Sequence, residues 1–240
     1  MSYEPRQFWE QRLREHFDLR GTGETGLSLA YNRACYALRR EVLERALREA
    51  HVALAGASVL DVGCGTGFFT NFYLERGARV TGIDIAAASV ERLAAEFPEA
   101  RFVRADVGEE EIAERYDLVN MFDVSFHITD DWRWEFAMRN VAGAVSAGGV
   151  LVYTDVFSPS ASELAHNRTR PLVRHLDILQ ASGFKLLRMY PTHVLLNHDL
   201  GPFRFLNAVP ALLLGVDRVL LAAGVPGGRR NQLLIARRGA

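Results

Sequence analysis

The sequence is poor in cysteine and in excess charge of either sign. Its 240 residues include two cysteines, Cys35 and Cys64, which are too few for a disulfide framework. The formal net charge at pH 7 is -1, so the chain lacks the basic surplus that nucleic-acid-binding proteins usually carry. These shortages argue against a disulfide-stapled secreted domain and against a nucleic-acid partner.

Long uninterrupted apolar runs are also missing. The most apolar stretch, residues 208–224, contains Asp217 and Arg218, which makes it a poor membrane span. The chain begins with the polar run Met-Ser-Tyr-Glu-Pro-Arg, which lacks the apolar segment of a signal peptide. Asp and His residues do not cluster at metal-binding spacing. We therefore expect a cytoplasmic protein with no stable membrane insertion and no metal site.

Short apolar runs alternate with amphipathic segments from residue 58 onward. Because strands that alternate with helices form right-handed crossovers, this order predicts an α/β fold with a mainly parallel sheet and helices on both faces. Ligands of such sheets bind beyond the carboxyl ends of the strands, so residues that follow strands are the functional candidates. Predicted strands cover 58–62, 79–84, 101–105, 116–122, 150–155, 184–189 and 231–237. Predicted helices cover 67–76, 86–97, 109–114, 132–146 and 172–182, and a polar loop covers 158–170.

Two regions stand apart from this alternation. Residues 1–50 carry helical patterns at 3–20 and 29–50 and are predicted to form an N-terminal helical cap or lid. Residues 51–240 would form the core. Within it, segment 194–230 is predicted to be an inserted lid or an interface, which a homodimer would use.

The run Val59-Leu-Asp-Val-Gly-Cys-Gly-Thr-Gly-Phe68 is the strongest local signal. A strand leads into glycines at 63, 65 and 67, which permit a tight turn and a close approach of backbone to a ligand. A nicotinamide-binding loop would continue as Gly-x-Gly-x-x-Gly or Ala. Phe68 occupies the third position of that pattern and would obstruct close helix–strand packing. The loop therefore disfavours a dehydrogenase, while indicating a nucleotide-like ligand.

Carboxylates follow the next two predicted strands. Asp84 ends the second strand, where a carboxylate can accept both hydroxyls of a ribose. Asp106 follows the third strand. Each of them could instead cap the helix that comes after it.

The run 59–67, followed by Gly82-Ile-Asp-Ile85 and Ala105-Asp-Val107, resembles the class I S-adenosylmethionine-dependent methyltransferases over residues 55–190. The resemblance implies a Rossmann-like, seven-stranded sheet with a reversed last strand pair. It also implies S-adenosylmethionine as cofactor and S-adenosylhomocysteine as product. Each candidate cofactor-binding residue takes a role from the family: Asp61 lies near the methionine amine; Gly63, Cys64, Gly65 and Gly67 line the methionine and ribose; Asp84 and Ile85 hold the ribose; Asp106 and Val107 contact the adenine; Phe122 and Asp123 close over the cofactor.

His127 follows the fourth predicted strand, beside the expected position of the methyl group. A neutral imidazole accepts a proton near pH 7, so His127 is the candidate general base, with packing against the cofactor as the alternative. It is also a candidate for substrate contact, together with Tyr31, Arg168 and Arg170. The two arginines could clamp a carboxylate or phosphate, or lie in a solvated loop.

The sequence thus predicts an enzyme, typical of secondary metabolism, that methylates a small, partly apolar metabolite. Methyl transfer is an in-line displacement, in which the protein chiefly positions the acceptor. Transfer to oxygen or nitrogen is expected. Transfer to carbon and a non-catalytic regulatory or scaffold protein that binds S-adenosylmethionine remain open alternatives.

Overall fold

A seven-stranded sheet with the strand order β3-β2-β1-β4-β5-β9-β8 organises the molecule. The computed structural model describes residues 3–157, 162–164, 166–196, 200–226 and 231–240. The strands of this sheet are β1 (Ser58–Val62), β2 (Arg79–Asp84), β3 (Arg101–Arg104), β4 (Tyr116–Met121), β5 (Val145–Asp155), β8 (Phe184–Pro191) and β9 (Gln232–Arg238). A separate two-stranded hairpin consists of β6 (Ser162–Leu164) and β7 (Asn167–Thr169).

Seven α-helices and two 3₁₀ helices accompany the sheet in the described part of the chain. The α-helices are α1 (Pro5–Glu15), α2 (Leu29–Glu49), α3 (Phe68–Leu74), α4 (Ala87–Glu96), α5 (Asp131–Gly143), α6 (Leu172–Ala181) and α7 (Pro210–Ala222). The 3₁₀ helices are Ser125–His127 and Gly201–Ala208.

Within the seven-stranded sheet, the strand pairs are parallel except those of β9, which lies antiparallel between β5 and β8. The expected seven-stranded, mainly parallel sheet with a reversal at its end is therefore confirmed. Chain order reverses between β1 and β4, and this reversal creates a crevice at the carboxyl ends of these strands.

The strands bury both of their faces, because alternate side chains enter different apolar clusters. Along β5, Val150 and Val152 join one cluster, whereas Leu151 and Tyr153 join the other. Helices α2, α3 and α7 supply the first cluster, and α5 and α6 supply the second. Burial on both sides explains why the strands read as short apolar runs.

Helix α2 belongs to the core rather than to a separate cap. Its Leu43 and Ala46 are fully buried in the cluster that contains Val59 and Leu118 of the central strands. In the segment predicted as a cap, residues 1–50, helix α1 lies outside the two layers of helices that cover the sheet.

The helix predicted at 109–114 is wrong. The amides of Glu109 and Glu110 both donate to the Asp106 carbonyl, which makes a turn. The Asn140 side chain of α5 then accepts from the amide of Ile112 at 2.8 Å and donates to the carbonyls of Val107 and Glu110. Hydrogen bonds from a distant side chain thus replace those of a helix.

Two further predicted boundaries are corrected. Helix α5 ends at Gly143 instead of Ser146, and β5 begins at Val145 because Val145 already pairs with Tyr116 of β4. The region predicted as a polar loop, 158–170, contains the β6–β7 hairpin among its described residues.

The segment 194–230 packs one side against the core and exposes the other. Leu213 and Leu221 of α7 are buried, whereas Phe203, Phe205 and Leu212 are largely exposed. Residues 197–199 and 227–230 of this segment lie outside the described residues. Among the described helices, no single one is long and apolar enough to cross a membrane; the two helices of this segment, bent by 114°, meet that requirement only as a pair.

Asp217 anchors α7 to the chain that leaves β8. Its fully buried carboxylate accepts the amides of Val194, Leu195 and Leu196 at 3.1, 2.6 and 2.9 Å. Removing the carboxylate would leave three amides without their acceptor, and buried groups of this kind are costly.

Asp217→Ala is therefore expected to lower the free energy of unfolding by about 3 kcal/mol, measured by denaturant titration. Asp177→Ala, on the exposed face of α6, is the control and should change the free energy by less than about 0.5 kcal/mol. Equal stability of the two variants would contradict the anchoring role.

Candidate active site

The loop between β1 and α3 has a backbone that glycine adopts without strain. Gly63, Gly65 and Gly67 have φ of +70°, +51° and +79°. A Cβ on Gly63 would lie 2.3 Å from Val124 Cγ2, and one on Gly65 would lie 2.5 Å from Thr22 Cγ2. Both the conformation and the close approach therefore require glycine here.

Asp84, at the end of β2, fastens this loop to the neighbouring strand. Its Oδ2 accepts the amide of Gly65 at 2.8 Å, and its Oδ1 accepts the amide of Ala86 at 2.9 Å. Burial raises the pKa of the Asp84 carboxyl to about 6. Asp84 does not cap α4, whose N-cap residue is Ala86 and has no side-chain cap hydrogen bond; its two oxygens instead accept the Ala86 amide and the amide of the glycine loop.

Asp61, at the end of β1, is held by uncharged donors. Thr70 and Asn120 each donate to its carboxylate at 2.7 Å, and Asn120 in turn accepts from the Tyr73 hydroxyl at 3.0 Å. Burial raises the pKa of Asp61. Among the described residues neither Asp61 nor Asp84 forms an ion pair, so no cation lies beside either buried carboxyl group.

Asp106 differs from these two because it has a cation beside it. The Arg133 guanidinium of α5 lies 2.5 Å from Asp106 Oδ2, and the amide of Gly108 donates to Oδ1 at 2.9 Å. Arg133 also lies 3.3 Å from Glu109. The arginine was not predicted from the sequence, where a single basic residue in a helix has no distinguishing pattern.

Asp123, after β4, is the most constrained residue of the site. It is a non-glycine residue with φ of +55°, and its carboxylate pairs with Arg39 at 2.8 Å. Thr154 donates to the same carboxylate at 2.8 Å, and so does the Asn231 side chain. These partners come from α2, β5 and the start of β9, so Asp123 joins three parts of the chain at the crevice.

A cavity of about 290 Å³ lies at these carboxyl ends, near the lower end of the size range for small-molecule sites. Burial raises the pKa of the Cys64 thiol well above its usual value, so this lining residue is not an activated nucleophile. Gly67 is the N-cap residue that precedes α3 and does not line the cavity, whereas Phe68 does. The predicted site residues that the structure brings together around the cavity are Asp61, Gly63, Cys64, Gly65, Asp84, Ile85, Asp106, Val107, Phe122, Asp123 and His127.

His127 sits at the end of the 3₁₀ helix that follows β4. Its Nδ1 lies 3.0 Å from the carbonyl oxygen of His166. Because a carbonyl only accepts, Nδ1 carries the proton of the neutral ring and Nε2 keeps its lone pair. Burial lowers the pKa of His127 to about 4, so the imidazole is neutral at pH 7.

Three residues predicted to contact the substrate do not line the cavity. Tyr31 is buried in the apolar cluster around α2 and does not line the cavity. Arg168 donates to the Thr129 carbonyl at 3.0 Å and to Asp131 at 2.9 Å. Arg170 is 1% exposed and donates to Asp131 and to the Ile128 carbonyl, both at 2.9 Å. Both guanidinium groups therefore hold β7 and the residue after it against residues 128–131, where the chain enters α5.

Helix α1, which belongs to the segment predicted to form a cap or lid, lies over the cavity. Trp9 lies edge-on to His127, with ring centroids 4.8 Å apart, and Leu13 also lines the cavity. The four-residue spacing of these two residues was the available signal, but it indicates a buried helix face without saying what the face covers. Tyr3, Thr22 and Tyr36 complete this wall.

No group of three or more His, Cys, Asp or Glu residues is placed to hold a metal ion in the described part of the chain.

Comparisons with known proteins agree with this architecture. A family model described as a methyltransferase domain matches residues 59–149. A ubiquinone biosynthesis O-methyltransferase of Pseudomonas entomophila is 38% identical over 111 residues, which cover 44% of this chain and 47% of that protein. A malonyl-[acyl-carrier protein] O-methyltransferase of Acetivibrio thermocellus is 34% identical over 110 residues, covering 44% and 38%. The matched part thus spans less than half the length of these curated relatives.

Among solved structures, magnesium protoporphyrin IX methyltransferase of Synechocystis PCC 6803 with bound S-adenosylhomocysteine superimposes with a TM-score of 0.65. The match covers 98% of both chains at 16% identity, and it therefore shows a shared fold. Residues 59–149 therefore match a methyltransferase domain, and they lie in a sheet whose fold is shared with a methyltransferase that has S-adenosylhomocysteine bound.

Proposed function

We propose that this chain transfers the methyl group of S-adenosylmethionine to a small, partly apolar acceptor. The observation that carries the proposal is the pair of buried carboxylates, Asp61 and Asp84, which meet the glycine loop without a cation beside them. A buried carboxylate without a counter-ion is costly even when it is hydrogen-bonded, and a cationic ligand lowers that cost. A ligand that brings an ammonium group, a sulfonium and ribose hydroxyls supplies that compensation.

The lining residues fit this cofactor from one end to the other. Asp61 would accept the ammonium of the methionine part, and Asp84 would accept the ribose hydroxyls, as its position at the end of β2 suggests. Asp106 and Val107, after β3, would contact the adenine. Phe122, whose ring centroid lies 4.1 Å from that of Phe69, would close the cavity beside the methionine. The bound cofactor supplies an electrophilic methyl group and a good leaving group.

His127 would accept the proton that the acceptor releases. Its Nδ1 donates to the His166 carbonyl, which orients the ring and leaves the Nε2 lone pair available. The ring lies in the cavity wall beside Trp9, so Nε2 acts where water is largely excluded.

The acceptor side of the proposal rests on the aromatic character of the wall. Trp9, Tyr36, Phe69 and Phe122 all line the cavity, which suits an acceptor with an apolar or aromatic body. The curated relatives named above are O-methyltransferases, which favours a hydroxyl or carboxyl oxygen as acceptor. Helix α1 would act as the lid over this site, and the exposed side of Gly201–Ala208 and α7 would be the surface of a homodimer.

The first test concerns Asp84. Asp84→Asn should weaken S-adenosylhomocysteine binding at least about tenfold, because a hydrogen bond to a charged acceptor is lost. Binding to the wild type should also weaken as the pH falls through about 6, where Asp84 takes up a proton and loses its charge. That part of the pH dependence should be absent from Asp84→Asn. Isothermal calorimetry measures both effects.

The matched control is Asp117→Asn. Asp117 also accepts a backbone amide, that of Ser58 at 2.8 Å, but at the opposite end of β1. Its substitution should leave the affinity within about twofold of the wild type. If Asp84→Asn behaved like Asp117→Asn, the ribose role of Asp84 would be lost.

The second test concerns His127 and uses whichever acceptor a screen of phenols, alcohols, amines and carboxylic acids identifies by S-adenosylhomocysteine release. His127→Ala should lower kcat about a hundredfold, a typical contribution of general-base catalysis. Affinity for S-adenosylhomocysteine should change little. With cofactor saturating, kcat of the wild type should stay level from pH 8 to pH 5.5, because the imidazole is protonated only near pH 4.

His51→Asn is the control, since His51 is exposed, lies between α2 and β1, and has a positive φ that asparagine tolerates. Full turnover by His127→Ala would show that His127 is not the general base. Tight cofactor binding with no turnover on any acceptor would instead favour the non-catalytic binding protein.

A further inference from the structure

A buried polar cluster lies behind the turn that carries His127, outside the cavity wall. It consists of Ser125 at the start of the 3₁₀ helix, Tyr153 and Asp155 of β5, and His175 of α6. All four residues are at most 1% exposed. The proposed methyl transfer uses none of them directly.

Ser125 connects this cluster to the turn. Its hydroxyl donates to Asp155 Oδ2 in a short hydrogen bond. The Ser125 carbonyl accepts the amide of Ile128 at 3.2 Å, and the preceding Val124 carbonyl accepts the amide of His127 at 2.9 Å. Ser125 is thus the buried residue that fixes the start of the turn carrying His127.

Asp155 is poorly satisfied apart from this bond. Its Oδ1 is buried without a hydrogen-bond partner among the described residues, and the same holds for His175 Nε2, which lies 3.8 Å from Oδ2. Burial raises the pKa of Asp155 to about 7 and lowers that of His175 to about 3. A buried carboxyl group with one unpartnered oxygen costs stability, and an apolar side chain would pack at this position without that cost.

The far end of the turn has its own tether. Arg170 donates to the Ile128 carbonyl at 2.9 Å while its Nε binds Asp131 at 2.9 Å. His127 therefore lies between two fixed points, Ser125 and Ile128. Asp155 binds the Ser125 side chain at the start of the 3₁₀ helix, whereas Arg170 binds the backbone just after its end.

We propose that Asp155 is a positioning residue: it holds Ser125, and through Ser125 it keeps the His127 ring in the cavity wall with Nε2 available. The relevance to catalysis rests on the proposed function of His127. The positioning itself is a property of the fold and can be tested without a methyl acceptor.

The test follows the His127 imidazole by nitrogen-detected NMR, with its signals assigned by their loss in His127→Ala. In Ser125→Ala the turn loses its hydrogen bond to Asp155, so water reaches the His127 ring. The pKa of His127 should then rise by about one unit toward its usual value, and the Nδ1–H tautomer should no longer dominate. The charged or titratable groups around the ring, Asp123, His166 and Arg12, are unchanged in this variant.

Two further variants separate positioning from general damage. Tyr153→Phe removes an equally buried hydroxyl of the same cluster, which lies 3.2 Å from His175 Nδ1 and does not touch Ser125. It should leave the His127 signals unchanged. Asp155→Asn keeps an oxygen that can accept from Ser125, so it should preserve the His127 tautomer and pKa that Asp155→Ala loses.

The outcomes distinguish this inference from the function on which it rests. If Ser125→Ala shifts the His127 pKa no more than Tyr153→Phe does, Asp155 does not position the ring. Should Asp155→Ala fail to fold, Ser125→Ala alone decides the question. Failure of the wild type to bind S-adenosylhomocysteine in a calorimeter would contradict the proposed function and leave the NMR result to be judged separately.

Discussion

The hydrogen bond from the Gly65 amide to the Asp84 carboxylate is the contact on which the site depends. It joins the loop after β1 to the end of β2, and it requires a backbone that only glycine adopts without strain at this position. Asp84 also accepts the amide of Ala86, so one carboxylate binds both the loop before α3 and the residue before α4. This geometry leaves the edge of the sheet open where the strand order reverses, and the cavity forms there.

Charge in the cavity follows a simple division. Asp106 and Asp123 are neutralised by Arg133 and Arg39, whereas Asp61 and Asp84 are held by uncharged donors. Because no cation lies beside them among the described residues, Asp61 and Asp84 form the part of the cavity that suits the proposed cationic ligand. The rest of the cavity wall is different, since it is built from aromatic rings and the neutral imidazole of His127. One cavity thus combines a part lined by carboxyl groups with an aromatic part, which the proposed transfer from a charged donor to an apolar acceptor would use.

The sheet and the cofactor side of the cavity were predictable because their signals are local. Strands buried on both faces read as apolar runs, and the glycines and acids follow these strands directly. Errors arose where distant side chains decide the structure. Hydrogen bonds from the Asn140 side chain hold the turn where a helix was expected at 109–114. Asp131 forms ion pairs with Arg168 and Arg170, which were expected at the substrate. The position of α1 over His127 likewise depends on tertiary packing, which residue spacing does not encode.

The most direct test of the account is a calorimetric titration of the wild-type protein at pH 8 with S-adenosylhomocysteine and, separately, with NAD. The account predicts saturable one-to-one binding of S-adenosylhomocysteine and none of NAD, because Phe68 occupies the position that a dinucleotide loop keeps small and the two unpaired carboxylates disfavour a pyrophosphate. Binding of NAD without binding of S-adenosylhomocysteine would contradict the central claim.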